Sequence, residues 1–110
     1  MGTRSEIPPG TLYMLILRSL ARMGPMHGYG IAHFIQQISE EVLQVEEGSL
    51  YPALQRMLIK GWVTAEWKQS DNNRRARYYR LTPEGRKQMS REMSEFQRVM
   101  EAIGRVIEPA

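Results

Sequence analysis

Apolar residues recur along the chain in two rhythms, and each rhythm predicts an element. Leu12, Leu15, Ile16, Leu20 and Met23 lie three or four apart, so 11–23 reads as an amphipathic helix ended by Gly24-Pro25. Ile31, Phe34, Ile35 and Ile38 repeat the rhythm and predict a second helix over 28–39. The stretch from Gln44 to Gly48 breaks it. A third helix is expected from Ser49 to Lys60, with Leu50, Leu54, Met57 and Leu58 as its buried face. Ser49 is its expected N-cap, Pro52 falls in the first turn and Gly61 just past the end. The rhythm then shortens. Trp62–Trp67 and Arg77–Thr82 are rich in β-formers and flank the turn residues Ser70-Asp71-Asn72-Asn73, which together predict a β-hairpin. Thr82 and Pro83 open a last helix as N-cap and N1, with Gly85 out of place at N3. Met89, Met93, Phe96, Met100, Ile103 and Ile107 follow at alternating spacings of four and three, the seam of a coiled coil.

A helix of about 25 residues spans nearly 38 Å, more than a small three-helix core can cover. A second copy of the chain is the simplest partner for the excess seam. The elements in order describe a mainly α fold with a β-hairpin wing (α+β): a winged helix-turn-helix plus a long C-terminal dimerisation helix. The expected division is an N-terminal arm over 1–10, a DNA-binding domain over 11–82 and the dimerisation helix over 83–110. In such a fold the third helix enters the major groove of DNA. Removing its buried face leaves Ser49, Tyr51, Pro52, Gln55, Arg56 and Lys60 outward, most of them donors for phosphates or bases. Arg74, Arg75 and Arg77 supply the wing. Tyr29, near the start of the second helix, suits either a phosphate contact or a cap on the core.

Charge sharpens this picture. The net charge of the 110 residues is only +3, yet residues 56–91 hold ten bases against three acids, while residues 40–47 hold four glutamates and no base. A basic block on a small domain points to a polyanion. With no cysteine, disulfides, thiol nucleophiles and thiolate zinc sites are excluded. His27 and His33 are six apart without nearby paired acids, so no metal site is expected. The glutamates have no nucleophile or base at a useful spacing, so no enzyme and no cofactor is expected. No apolar run approaches the roughly 20 residues of a membrane span, and a soluble cytoplasmic protein is expected. The eight methionines suit core and interface filling or a soft ligand-binding surface.

Several segments resemble the PadR family of bacterial transcriptional regulators. They are Gly10–Leu17, His27-Gly28-Tyr29-Gly30-Ile31, Glu47–Met57 with its Ser-Leu-Tyr-Pro-Ala-Leu core, Lys60-Gly61-Trp62-Val63, and Arg77–Gly85. The resemblance covers about 10–85 in register. It implies a homodimeric repressor on a palindromic operator in double-stranded DNA, with Ser49, Tyr51 and Pro52 facing DNA. It also implies an interface built by the first and last helices, which brings Leu12 and Ile16 to the seam. Some members release DNA on binding a planar aromatic effector in the dimer cavity, against a Trp on the terminal helix. Here both Trp, 62 and 67, lie in the wing region, and the terminal helix offers Phe96 and methionines instead. The alternative from another class is a winged-helix protein-interaction module without operator specificity, against which the basic wing argues.

Overall fold

In the computed structural model the described residues are 5–8, 10–69 and 71–109. Residues 1–4 and Pro9 of the expected arm, Ser70 of the expected turn and Ala110 lie outside them. Helix α1 (Leu12–Met23) forms where the first rhythm predicts it and seals Ile16, Leu17 and Leu20 in the interior. It stops at Gly24, whose φ of +83° suits glycine and whose N–H donates to the Leu20 carbonyl at 2.9 Å. The short strand β2 (Met26–His27) follows and leads directly into α2 (Gly28–Ile38). His27 caps that helix: its Nδ1 accepts the Gly30 N–H at 2.9 Å. After α2, Glu40 and Glu41 turn the chain with φ of +54° and +66°. The next strand, β3 (Leu43–Gln44), pairs in parallel with β1 (Ser5–Glu6), a pairing the apolar pattern does not signal.

Helix α3 (Glu47–Ile59) begins two residues earlier than the sequence suggests, with Glu46 rather than Ser49 at the N-cap. The Ser49 and Leu50 N–H groups both donate to the Glu46 carbonyl, at 3.0 and 2.9 Å. Pro52 therefore lies inside the helix rather than in its first turn, and its missing N–H leaves the Gly48 carbonyl without an i+4 donor. Leu50, Ala53, Leu54 and Met57 form the buried face.

The hairpin strands β4 (Val63–Gln69) and β5 (Arg75–Leu81) run closer to the turn than expected, so Arg75 is part of a strand. Asn73 closes the turn with φ of +64°. Strand β2 adds to the far edge of β5, giving the antiparallel order β2-β5-β4. The register pairs Val63 with Leu81, Ala65 with Tyr79, Trp67 with Arg77 and Gln69 with Arg75. These pairs share one face, because side chains alternate along a strand. At the base that face is buried at Val63 and Tyr79; at the tip it carries Trp67, Arg75 and Arg77.

Helix α4 (Pro83–Ile107) opens on Thr82, whose hydroxyl accepts the Gly85 N–H at 3.0 Å. Gly85 fits a close approach: a Cβ there would lie 2.1 Å from the Trp62 carbonyl oxygen. Burial falls steadily along this helix. Met89 belongs to the core, Met93 and Phe96 are half-buried, and Met100, Ile103 and Ile107 are exposed. On α1, Leu12 is half-buried, but Ile16 is wholly buried within the chain. The expectation that Ile16 meets a partner copy is corrected: it packs in the core cluster with residues of α2 and α3, and no part of its surface is left for a second chain. Among the described residues no helix is long and apolar enough to cross a membrane.

Candidate nucleic-acid interface

The buried face of α3 fixes what it presents outward. Opposite Leu50, Ala53, Leu54 and Met57 stand Pro52, Gln55 and Ile59, with Tyr51 and Arg56 on the flanks. Every residue of α3 expected to meet DNA is exposed. The structure divides them between two sides of the helix.

On one side, α3, the start of α2 and the inner face of the wing enclose a cleft of about 850 Å³. Tyr29, Tyr51, Gln55, Arg74, Arg75 and Arg77 all line it, so most of the expected contact residues converge there. The Tyr51 ring lies against Gly28, where a Cβ would come within 2.7 Å of its Cε1 atom. Burial raises the Tyr51 phenol above its ordinary pKa of 10.0, helped by the charge of Glu47 and by Tyr79, so its hydroxyl stays a donor. Tyr29 is 71% exposed and stacks on His33, with ring centroids 6.2 Å apart and planes 12° from parallel. It is therefore not a cap on the core.

The wing arginines stand on rings. The Arg75 guanidinium carbon is 5.3 Å from the Trp67 ring centroid, and that of Arg77 is 6.0 Å from the Tyr79 centroid. Such contacts restrain a cation while leaving its N–H groups available to an anion. On the opposite face of the hairpin, Lys68 is paired with Glu66 at 3.4 Å and lies 5.5 Å from the Tyr78 centroid. Charge of both signs thus gathers on the outer face, whereas Trp67, Arg75 and Arg77 are directed toward the cleft.

Ser49, Pro52, Arg56 and Lys60 sit on the other side of α3 or beyond its end. Ser49 borders a hollow of about 290 Å³ beside Glu6 and Glu46. The Arg56 guanidinium donates through Nε–H to the Tyr13 hydroxyl, and its carbon lies 5.6 Å from that ring's centroid. Lys60 lies 5.3 Å from the Trp62 ring centroid, and Trp62 meets Tyr13 edge-on at 5.5 Å. Cations seated on aromatic rings therefore flank α3 on both sides. This arrangement suits phosphate capture on either side of a groove that receives the helix.

The sequence reading missed Trp67, His33 and Tyr13. Alternation from Arg77 would have found Trp67, given the strand register, and His33 lies one helical turn from Tyr29. No local signal marks Tyr13, because its partner Arg56 is 43 residues away. His27, set aside as a metal ligand, acts as a helix cap. Among the described residues no group of three or more His, Cys, Asp or Glu is placed to hold a metal.

Comparison with known proteins extends this geometry. The model of the transcriptional regulator PadR-like family matches residues 16–91. An uncharacterised protein of a Streptomyces fradiae transposon is 39% identical over 97 residues, 88% of this chain; the chain spans only 25% of that relative's length. Uncharacterised protein X of Lysinibacillus sphaericus is 30% identical over 100 residues, 91% of each chain. Among solved structures, a transcriptional regulator from Clostridium thermocellum superposes with a TM-score of 0.82 at 27% identity, covering 90% of this chain and 95% of its own. A PadR family transcription regulator from Clostridium difficile gives 0.73 at 27% identity, covering 89% and 99%.

Proposed function

This chain belongs to the PadR-like family of transcriptional regulators, and from that premise we propose that it is a homodimeric repressor of a palindromic operator. Residues 11–82 form the DNA-binding domain, and residues 83–110 carry the dimerisation helix, α4. The observation that carries the reading is the placement of α3 between two sets of ring-seated cations, Arg75 and Arg77 on the wing side and Arg56 and Lys60 on the other. Tyr51 and Gln55 address base edges from the cleft side, and Ser49 and Pro52 from the exposed start of α3. The arginines, Lys60 and Tyr29 take phosphates. A two-fold dimer presents two such helices one turn of DNA apart, hence a palindrome.

Support for the dimer comes from the exposure gradient of α4. Its apolar seam continues through Met93, Phe96, Met100, Ile103 and Ile107 after the core ends at Met89, whereas Leu12 on α1 borders the hollow beside Glu46 and Ser49. An aromatic or hydrophobic effector would enter beside this seam. A hollow of about 510 Å³ between α1 and α4, bordered by Tyr13, Phe96 and Val99, has the size for one. The protein works in the cytoplasm, where its DNA lies.

The test is a fluorescence-anisotropy titration against duplex DNA from upstream of the chain's own gene, beside a scrambled duplex, at several salt concentrations. The expected result is a preference for the native sequence that survives added salt, with both affinities falling as salt rises. Equal salt-sensitive binding to both duplexes would remove operator specificity there. No binding to either at low salt would favour a protein-interaction module.

A further inference from the structure

The side of α3 away from the wing holds a contact that crosses from one helix to another. Tyr13, in the first turn of α1, accepts the Nε–H of Arg56, and the guanidinium carbon lies beyond the hydroxyl, 5.6 Å from the ring centroid. Tyr13 is half-buried and braced by the edge-on contact with Trp62, so it offers a fixed seat. Arg56 remains exposed. A guanidinium carries its N–H donors in a rigid planar fork. With Nε–H directed to the phenol, the two terminal nitrogens keep their donors for a second acceptor. A mobile arginine loses rotamer freedom when it captures an anion, and one already seated loses less.

We propose that Tyr13 is a positioning residue for DNA binding, holding Arg56 in the geometry that captures a backbone phosphate beside α3. The inference rests on the reading of α3 as the DNA-facing helix and adds a member from α1. Tyr13 also borders the α1–α4 hollow beside Phe96 and Val99, so one phenol stands between the apolar seam and the DNA-facing helix.

The experiment is a double-mutant cycle on Tyr13→Phe and Arg56→Ala. Each protein is titrated with a labelled duplex from upstream of its own gene at several salt concentrations, and each is unfolded in urea. Tyr13→Phe keeps the ring and its packing on Trp62, and Arg56 is exposed, so both variants are expected to fold. Arg56→Ala is expected to weaken binding about tenfold or more and to reduce the slope of log affinity against log salt by about 1.8, one phosphate contact in each of the two half-sites. Tyr13→Phe is expected to weaken binding about fivefold per half-site, the scale of one hydrogen bond in each protomer. The double variant should bind like Arg56→Ala alone, with no matching coupling in the urea midpoints. Losses that multiply in the double variant would overturn the proposal, as would parental binding by Tyr13→Phe. If Arg56→Ala binds with parental affinity and slope while Tyr51→Ala loses binding, the proposal falls and the DNA-facing reading of α3 stands. If the parent binds no duplex, that reading falls first and takes the proposal with it.

Discussion

Gly28→Ala separates folding from function at a single methyl group. Gly28 is the first residue of α2 and supports the Tyr51 ring on α3. A Cβ there would lie 2.7 Å from Tyr51 Cε1, 2.8 Å from its hydroxyl oxygen and 2.9 Å from Cζ. Ordinary contact begins near 3.4 Å, so the ring must retreat by at least about 0.7 Å. Tyr51 is 44% exposed, and the ring can swing outward rather than strain the core. Stability should hold or rise, because alanine is favoured over glycine in a helix by up to about 1 kcal/mol. Binding should fall. A phenol hydroxyl displaced from a phosphate or base edge loses a hydrogen bond worth about 1 to 2 kcal/mol, and the expected loss is about tenfold in Kd for each of the two half-sites. The assay pairs urea unfolding with anisotropy titration of the duplex from upstream of the chain's own gene, for Gly28→Ala, Tyr51→Ala and the double variant. The double variant should bind no worse than Tyr51→Ala, because both changes act through one ring. Parental affinity in Gly28→Ala would refute the reasoning. So would a loss of affinity matched by an equal loss of stability, since the methyl would then be disturbing the fold.

Three other predictions address the frame that holds this site. Gly85→Ala should destabilise by about 2 kcal/mol, because the clash with the Trp62 carbonyl and the disturbed Thr82 cap outweigh the gain in helix propensity; a urea midpoint at or above the parent's would show that α4 moves freely from the wing. Glu40→Gly should stabilise by a few tenths to about 1 kcal/mol, since it relieves a left-handed backbone at φ of +54° and gives up some unfolded-state entropy; a lower urea midpoint would mean that the glutamate side chain contributes more than its backbone costs. Phe96→Asp with Met100→Asp places two charges in the half-buried to exposed part of the α4 seam. Light scattering should find folded monomers, and duplex affinity should drop by an order of magnitude or more as the two half-sites are no longer held together. A dimer that survives both charges would move the interface elsewhere.

The helices and the hairpin were legible because each is a local statement. The spacing of Leu12, Leu15, Ile16 and Leu20 specifies one helical face whatever it packs against, and Thr82-Pro83 opens α4 through bonds within a single turn. Boundaries were less legible. Ser49 is a good capping residue, yet α3 starts at Glu47 with Pro52 inside it. The hairpin extends to Arg75 because pairing with Gln69 continues past the residues of highest β-propensity.

What the sequence determined by itself is therefore the order of the elements, the outward residues of α3 and the presence of an apolar seam longer than the chain's own core. Each follows from periodicity or from a side chain's preference within one turn. The tertiary structure alone decided on which side of α3 each cation lies. It seats Arg56 on Tyr13 and Arg75 on Trp67, buries Ile16 away from any partner, and makes Gly28 and Gly85 the points where two elements come too close for a side chain. Those are distances between residues far apart in the chain or across strands, and they depend on how packed elements meet.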